Sequence, residues 1–188
     1  VPYLECGLIN NERCFYVTGD LKKEEICQAL SSRGIDAQGC IERGQLIFST
    51  KEESYFKEGF FSPLGMLNLV QYSHYEALKA GFSGLRGSGE LNWVSEGLSD
   101  SSKVTDYERE LNFLFRYNRL ITLCQYDEEK VNEKILLQVI YTHPKVVIYG
   151  KYYDNPNYVQ PEILRGHLMD KYEQDKYSKV RDSIIDPS

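Results

Sequence analysis

The fold that this sequence predicts is a three-layer α/β sandwich with a mostly parallel central sheet, and three observations lead to it. Short β-rich runs alternate with amphipathic helical runs along most of the chain. The β-rich runs are continuously apolar rather than alternating, as in strands covered on both faces. The connections between them each hold a helix, which right-handed crossovers between parallel strands require. Composition agrees: 188 residues with 41% hydrophobic and 27% charged suit one globular domain, with or without an extension, and exclude disorder, collagen and coiled coil for the whole.

The elements follow in order. Val1-Pro2-Tyr3-Leu4 reads as the tail of an amphipathic helix (Leu4, Leu8) running into the Asn10-Asn11-Glu12 turn, so the sequence is expected to begin inside an element. Arg13 to Thr18 is a strand ended by Gly19-Asp20, and Leu21 to Ser32 a helix with Leu21, Ile26 and Leu30 on roughly one side. Gln45 to Thr50 is the second strand. Ser62-Pro63 supplies an N-cap and a first-turn proline to a helix whose stripe is Leu64, Leu67, Val70, His74 and Leu78. Ser83 to Gly87 is the third strand and Arg119 to Cys124 the fourth, with a helix between them from Thr105 to Tyr117. There Tyr107, Leu111 and Leu114 share a face, and Thr105-Asp106-Tyr107-Glu108 matches a capping box, a structural role for Glu108 weighed above a catalytic one. Asn132 to Tyr141 is a helix and Lys145 to Tyr149 a fifth strand. After the Asp154-Asn155-Pro156-Asn157 turn, Pro161 opens a polar C-terminal helix toward Ile185, with Leu164, Leu168, Tyr172, Val180 and Ile184 as its stripe. It is either a surface helix or the lead into another domain.

Charge and cysteine usage exclude several functions. A net charge of −6 and a pI near 5.2 argue against a nucleic-acid face. No apolar run reaches the ~20 residues of a membrane span, so no membrane partner is expected. Five cysteines without a CxxC pair predict reduced thiols in a cytoplasmic protein rather than a disulfide framework or structural zinc. His74, His143 and His167 show no metal spacing, and no metal or other cofactor is expected. Cys124 paired with His143 as a nucleophile is the weaker reading of a thiol in an apolar run.

Ligands of open parallel sheets bind beyond the carboxyl ends of the strands. There the most unusual segment is Gly87-Ser88-Gly89-Glu90-Leu91-Asn92-Trp93, read as a glycine-loosened turn presenting a carboxylate and the lone Trp. Gln125 and Tyr126 are neutral hydrogen-bonding candidates at the end of the fourth strand. Gly39-Cys40-Ile41-Glu42-Arg43-Gly44 has P-loop glycine spacing, but Gln45-Leu46 replace the Lys and Ser/Thr and the segment precedes a strand. Gly87-x-Gly89 has Asn92 where a dinucleotide fingerprint needs glycine.

Taken together, Arg13-Cys14-Phe15-Tyr16-Val17, Gly44-Gln45-Leu46, Gly84 to Trp93, Tyr107-Glu108-x-x-Leu111-Asn112, Leu123-Cys124-Gln125-Tyr126-Asp127 and Thr142-His143-Pro144 resemble, in order, the MEDS domains. These are sensory domains of methanogen and methylotroph signalling proteins. The resemblance covers roughly residues 1–165, and Gly89-Glu90-x-x-Trp93 with Cys124-Gln125-Tyr126-Asp127 is its specific part. It implies a RecA-like fold with the P-loop lost, preceded by a strand upstream of Val1. It also implies Glu90, Trp93, Tyr107, Glu108, Gln125 and Tyr126 as sensory-site positions for a small-molecule ligand of C1 or methylated type. Residues 1–160 would be the sensory domain and 161–188 the helix or linker toward an output domain in the same chain, in a sensor histidine kinase or transcription regulator. A homodimer is compatible with that role. The rival expectation is a RecA-like nucleotide-hydrolysing domain with Glu90 as base; a purely structural dimerisation module is a third.

Overall fold

The computed structural model describes residues 1–95, 101–163 and 175–187. Four strands make the central sheet: β1 (Arg13–Thr18), β2 (Leu46–Thr50), β3 (Leu85–Glu90) and β4 (Leu120–Gln125). All pair in parallel, in the order β2-β1-β3-β4. Parallel neighbours cannot be joined by a tight turn, so the connecting helices lie on the sheet's faces. α1 (Pro2–Ile9) precedes β1, while α2 (Lys23–Ser31) and α3 (Ala37–Glu42) join β1 to β2. α4 (Pro63–Lys79) joins β2 to β3, α5 (Ser101–Phe115) joins β3 to β4, and α6 (Glu133–Thr142) follows β4.

Successive side chains of a strand point to opposite faces, and β1 shows the resulting layers. Cys14 and Tyr16 enter a cluster with Leu4, Leu8, Ile26, Leu30 and Cys40 from α1, α2 and α3. Val17 enters the larger cluster on the other face, with Met66 of α4, Tyr107 and Leu111 of α5, and Tyr55, Phe61 and Trp93. The three-layer α/β sandwich is therefore the observed architecture.

Several local expectations are corrected. Lys145 to Tyr149 does not extend the parallel sheet. β5 (Lys145–Ile148) pairs antiparallel with β6 (Lys151–Asp154) in a separate hairpin. Its two-residue loop has positive φ at both Tyr149 (49°) and Gly150 (77°), a turn whose twist suits adjacent antiparallel strands. β3 starts and ends later than expected, so Gly87, Ser88, Gly89 and Glu90 are strand residues rather than a loosened turn. Thr105 is not an N-cap: α5 begins at Ser101, and Thr105 Oγ1 donates to Gln138 Oε1 at 3.1 Å. On α4, Leu64 and Leu78 are exposed and Met66, His74 and Ala77 form the buried stripe. The Ser62 cap is as expected, accepting from the Gly65 N–H at 3.1 Å.

The C-terminal helix is α7 (Tyr177–Ile185), and Val180 and Ile184 bury against Leu137, Ile140 and Tyr141 of α6. The proposed stripe residues Leu164, Leu168 and Tyr172, like His167, lie outside the described residues. Among the described residues no helix is long and apolar enough to cross a membrane.

Candidate functional site

The chain leaves β1 toward β2 on one side and returns to β3 on the other, so strand order reverses between β1 and β3. Open α/β sheets bind ligands at such a reversal. A crevice of about 230 Å³ lies there, lined by Thr18, Gly19, Asp20, Thr50, Lys51, Glu52, Glu90, Asn92 and Trp93. Glu90, the last residue of β3, is buried and already engaged. Its Oε1 accepts from Tyr16 Oη at 3.0 Å, and its Oε2 from the backbone N–H groups of Asp20 and Leu21 at 2.6 and 3.4 Å. Gln125 continues the network, donating from Nε2 to Tyr16 Oη at 3.1 Å and to Ser88 Oγ at 2.9 Å. Burial holds the Tyr16 phenol well above its ordinary pKa, so it remains a donor. At the rim, hydrogen bonds from Lys130 and Asn92 hold Asp20 below the usual carboxylate range.

The amides after β1 are those that a phosphate-binding loop would turn on its ligand. Here they receive an internal carboxylate. Gly19 permits that approach, because a Cβ on it would stand 2.9 Å from Glu90 Oε2. The P-loop lookalike is spent on structure as well. Gly39 sits inside α3 and donates its N–H to Asp36 Oδ1 at 2.9 Å, Gly44 turns with φ 68°, and buried Gln45 donates from Nε2 to the Leu8 carbonyl at 2.9 Å.

Trp93 and Tyr107 belong to the aromatic core. The Trp93 ring lies 5.1, 4.9 and 5.0 Å from those of Tyr55, Phe56 and Phe61, and Tyr107 meets Phe61 edge-on at 5.9 Å. Trp93 also lines the crevice, and its buried Nε1 has no hydrogen-bond partner among the described residues.

Glu108 and Tyr126 come together elsewhere. A cavity of about 420 Å³ runs beside edge strand β4, under the β5–β6 hairpin and against α6. Ile121, Leu123, Leu136, Val139, Ile140, Val146 and Ile148 make much of its wall, with Tyr126, Cys124, His143, Arg86 and Lys145 as polar points and Tyr177 of α7 also on the lining. Behind this wall Glu108, 2% exposed, accepts from Tyr126 Oη at 2.6 Å on Oε1 and from the Cys124 thiol at 3.4 Å on Oε2. His143 Nε2 stands 3.6 Å from the same Oε2. Burial, reinforced by the Glu108 charge, pushes both the Cys124 thiol and the Tyr126 phenol well up, so neither is an activated nucleophile.

The six sequence candidates thus separate: Glu90 and Gln125 meet through Tyr16, Trp93 and Tyr107 pack the core, and Glu108 and Tyr126 back the lateral cavity. Sequence reasoning set aside Cys124 and His143, which join Glu108 there. The available signal was the placement of His143 at the end of a helix beside a strand terminus.

Residues 1–144 match the profile of MEDS, the methanogen/methylotroph, DcmR sensory domain. The chain is 27% identical over 144 residues to the transcriptional repressor DcmR of Methylorubrum extorquens (strain DSM 6343 / CIP 106787 / DM4), covering 76% of this chain and 51% of that protein. It therefore spans about half the length of this curated relative. With that match over most of its length, the chain belongs to the MEDS family and carries a sensory domain of signal transduction.

Proposed function

We propose that the lateral cavity is the sensory site and takes a small, largely apolar metabolite of C1 or methylated type. The observation carrying this reading is the cavity itself: about 420 Å³, walled in large part by aliphatic side chains, with polar groups at Cys124, Tyr126 and His143 and the cations Arg86 and Lys145 also on its lining. That is the usual make-up of a small-molecule site, in which apolar wall supplies affinity and sparse polar groups orient the ligand. The switch-point crevice suits such a ligand less well, being smaller and lined by four charged residues, Asp20, Lys51, Glu52 and Glu90, against few aliphatic ones. Occupancy would reach the output through α6 and α7. Leu136, Val139 and Ile140 of α6 and Tyr177 of α7 line the cavity, and α7 is the last described element before any following domain. The parent would be a transcription regulator or a sensor histidine kinase.

A thermal-shift screen of methylated amines, thiols and halomethanes tests the reading, because a ligand at 100 times its Kd stabilises the fold by ~2.7 kcal/mol. Ile121→Trp supplies the control: Ile121 is 46% exposed and lines the cavity, so the indole fills the space at little structural cost. The expected result is a shift in the wild type that Ile121→Trp abolishes. A shift that survives Ile121→Trp but disappears in a Lys51→Ala variant would move the site to the switch-point crevice.

A further inference from the structure

We infer that Glu108 Oε2, Cys124 Sγ and His143 Nε2 form a binding site for one divalent transition-metal ion of the zinc or cobalt class. The three ligand atoms come from α5, β4 and the end of α6 and lie within 4.8 Å of one another. Zinc bonds of ~2.0–2.1 Å to N or O and ~2.3 Å to S place tetrahedral ligand atoms ~3.3–3.6 Å apart. Oε2 is 3.4 Å from Sγ and 3.6 Å from Nε2, both within that range, and Sγ and Nε2 lie within 4.8 Å of each other.

The surroundings of the imidazole point the same way. His143 Nδ1 lies 2.7 Å from the Val139 carbonyl oxygen, which can only accept. Nδ1 therefore carries the hydrogen, and in the neutral ring Nε2 turns its lone pair on Glu108 and Cys124. A backbone carbonyl fixing the tautomer of a metal-bound imidazole is a common supporting contact. Tyr126 Oη donates to the other carboxylate oxygen, Oε1, at 2.6 Å and so orients Oε2 toward the ion. Thiolate, imidazole and carboxylate suit zinc, cobalt or iron(II) better than calcium or magnesium. The two negative ligands balance a divalent ion, which removes the cost of burying unpaired charge.

Three protein ligands leave a fourth position, as in zinc sites that take water or substrate. Cys124 and His143 also line the 420 Å³ cavity, so that position can accept a molecule held there. The metal site does not rest on the sensing reading, since the three donors converge whatever enters the cavity.

Titration of metal-free chain with Co²⁺ tests the site. The expected result is one ion per chain, with the near-ultraviolet thiolate-to-cobalt charge-transfer band and the visible bands of tetrahedral cobalt, all removed by competing Zn²⁺. Cys124→Ser should lose the charge-transfer band although Cys6, Cys14, Cys27 and Cys40 remain, with folding checked by a circular-dichroism melt. His143→Gln should keep the thiolate and weaken Co²⁺ binding by more than roughly tenfold, which decides the matter if Cys124→Ser does not fold. No thiolate band in the wild type overturns the site. So does a band that persists in Cys124→Ser, or Co²⁺ affinity in His143→Gln equal to that of the wild type.

Discussion

Glu90 and Glu108 are the buried carboxylates among the described residues, and their partners differ in kind. Glu90 is satisfied by backbone amides and a phenol, so its loss falls on the fold. In Glu90→Gln an amide NH₂ or a single neutral oxygen must face donors that now meet a carboxylate. Charge-assisted bonds of this type contribute ~1.5–3 kcal/mol. Chemical denaturation should therefore show an unfolding free energy lower by about that amount, and an unchanged value would mean that the Thr18-Gly19-Asp20 loop stands without Glu90. Glu108 instead shares its oxygens with Tyr126, Cys124 and His143, groups with chemistry of their own. Trp93→Ala should cost ~3–5 kcal/mol, because the indole is 3% exposed and packed among Tyr55, Phe56 and Phe61. Its effect on ligand response is thus expected to follow lost folding rather than a lost contact, which a melt of the variant distinguishes.

Among the elements, β3 shows most clearly how packing constrains sequence. Leu85-Arg86-Gly87-Ser88-Gly89-Glu90 has poor strand propensity, yet it is a central strand buried almost throughout. Gly89 allows this, since a Cβ there would stand 2.0 Å from Tyr55 Oη and 3.5 Å from Val17 Cβ. Tyr55 is held by Phe61 and Trp93 and has little room to withdraw. Gly89→Ala should then destabilise by ~1–3 kcal/mol, the usual cost of overpacking, and Tyr55→Phe should recover part of it in the double variant. Additive losses in that cycle would place the strain elsewhere. Farther along the chain, α7 packs on α6, and Ile184 is 3% exposed there. Ile184→Ala is expected to cost ~2–5 kcal/mol in the same denaturation measurement, whereas a freely extending helix would lose almost nothing.

Stability of the molecule as a whole is expected to fall on the alkaline side. Burial pushes the Cys14 thiol from 9.0 up to about 12, with Arg86 opposing, and pushes Tyr177 from 10.0 to about 12, with Glu128 adding to the rise. A folded-state pKa raised above the unfolded value contributes stability that is complete below the unfolded value and lost as pH rises toward the folded one. The denaturation midpoint should therefore change little from these groups up to about pH 9 and fall between about 9 and 12, and Cys14→Ala should flatten the first part of that fall. An equally steep fall in Cys14→Ala would assign it to the tyrosines and the other raised thiols, Cys124 among them.

What could be read from residue order was whatever depends on near neighbours. Apolar runs marked the β1, β2 and β4 segments, helical spacing put Tyr107 and Leu111 on the buried face of α5, and Ser62-Pro63 marked the start of α4. The order of the MEDS motifs carried the family. Pairing and convergence were decided only in three dimensions. Lys145 to Ile148 has the same apolar character beside a parallel or an antiparallel neighbour, and the positive φ at Tyr149 that makes the hairpin has no signature in a Tyr-Gly pair. Glu108, Cys124 and His143 are far apart along the chain, at spacings that no local metal motif uses. Only the packing of α5 and α6 beside β4 brings a carboxylate, a thiol and an imidazole within 4.8 Å of one another, because helix and strand lengths, not sequence separation, set which ends meet.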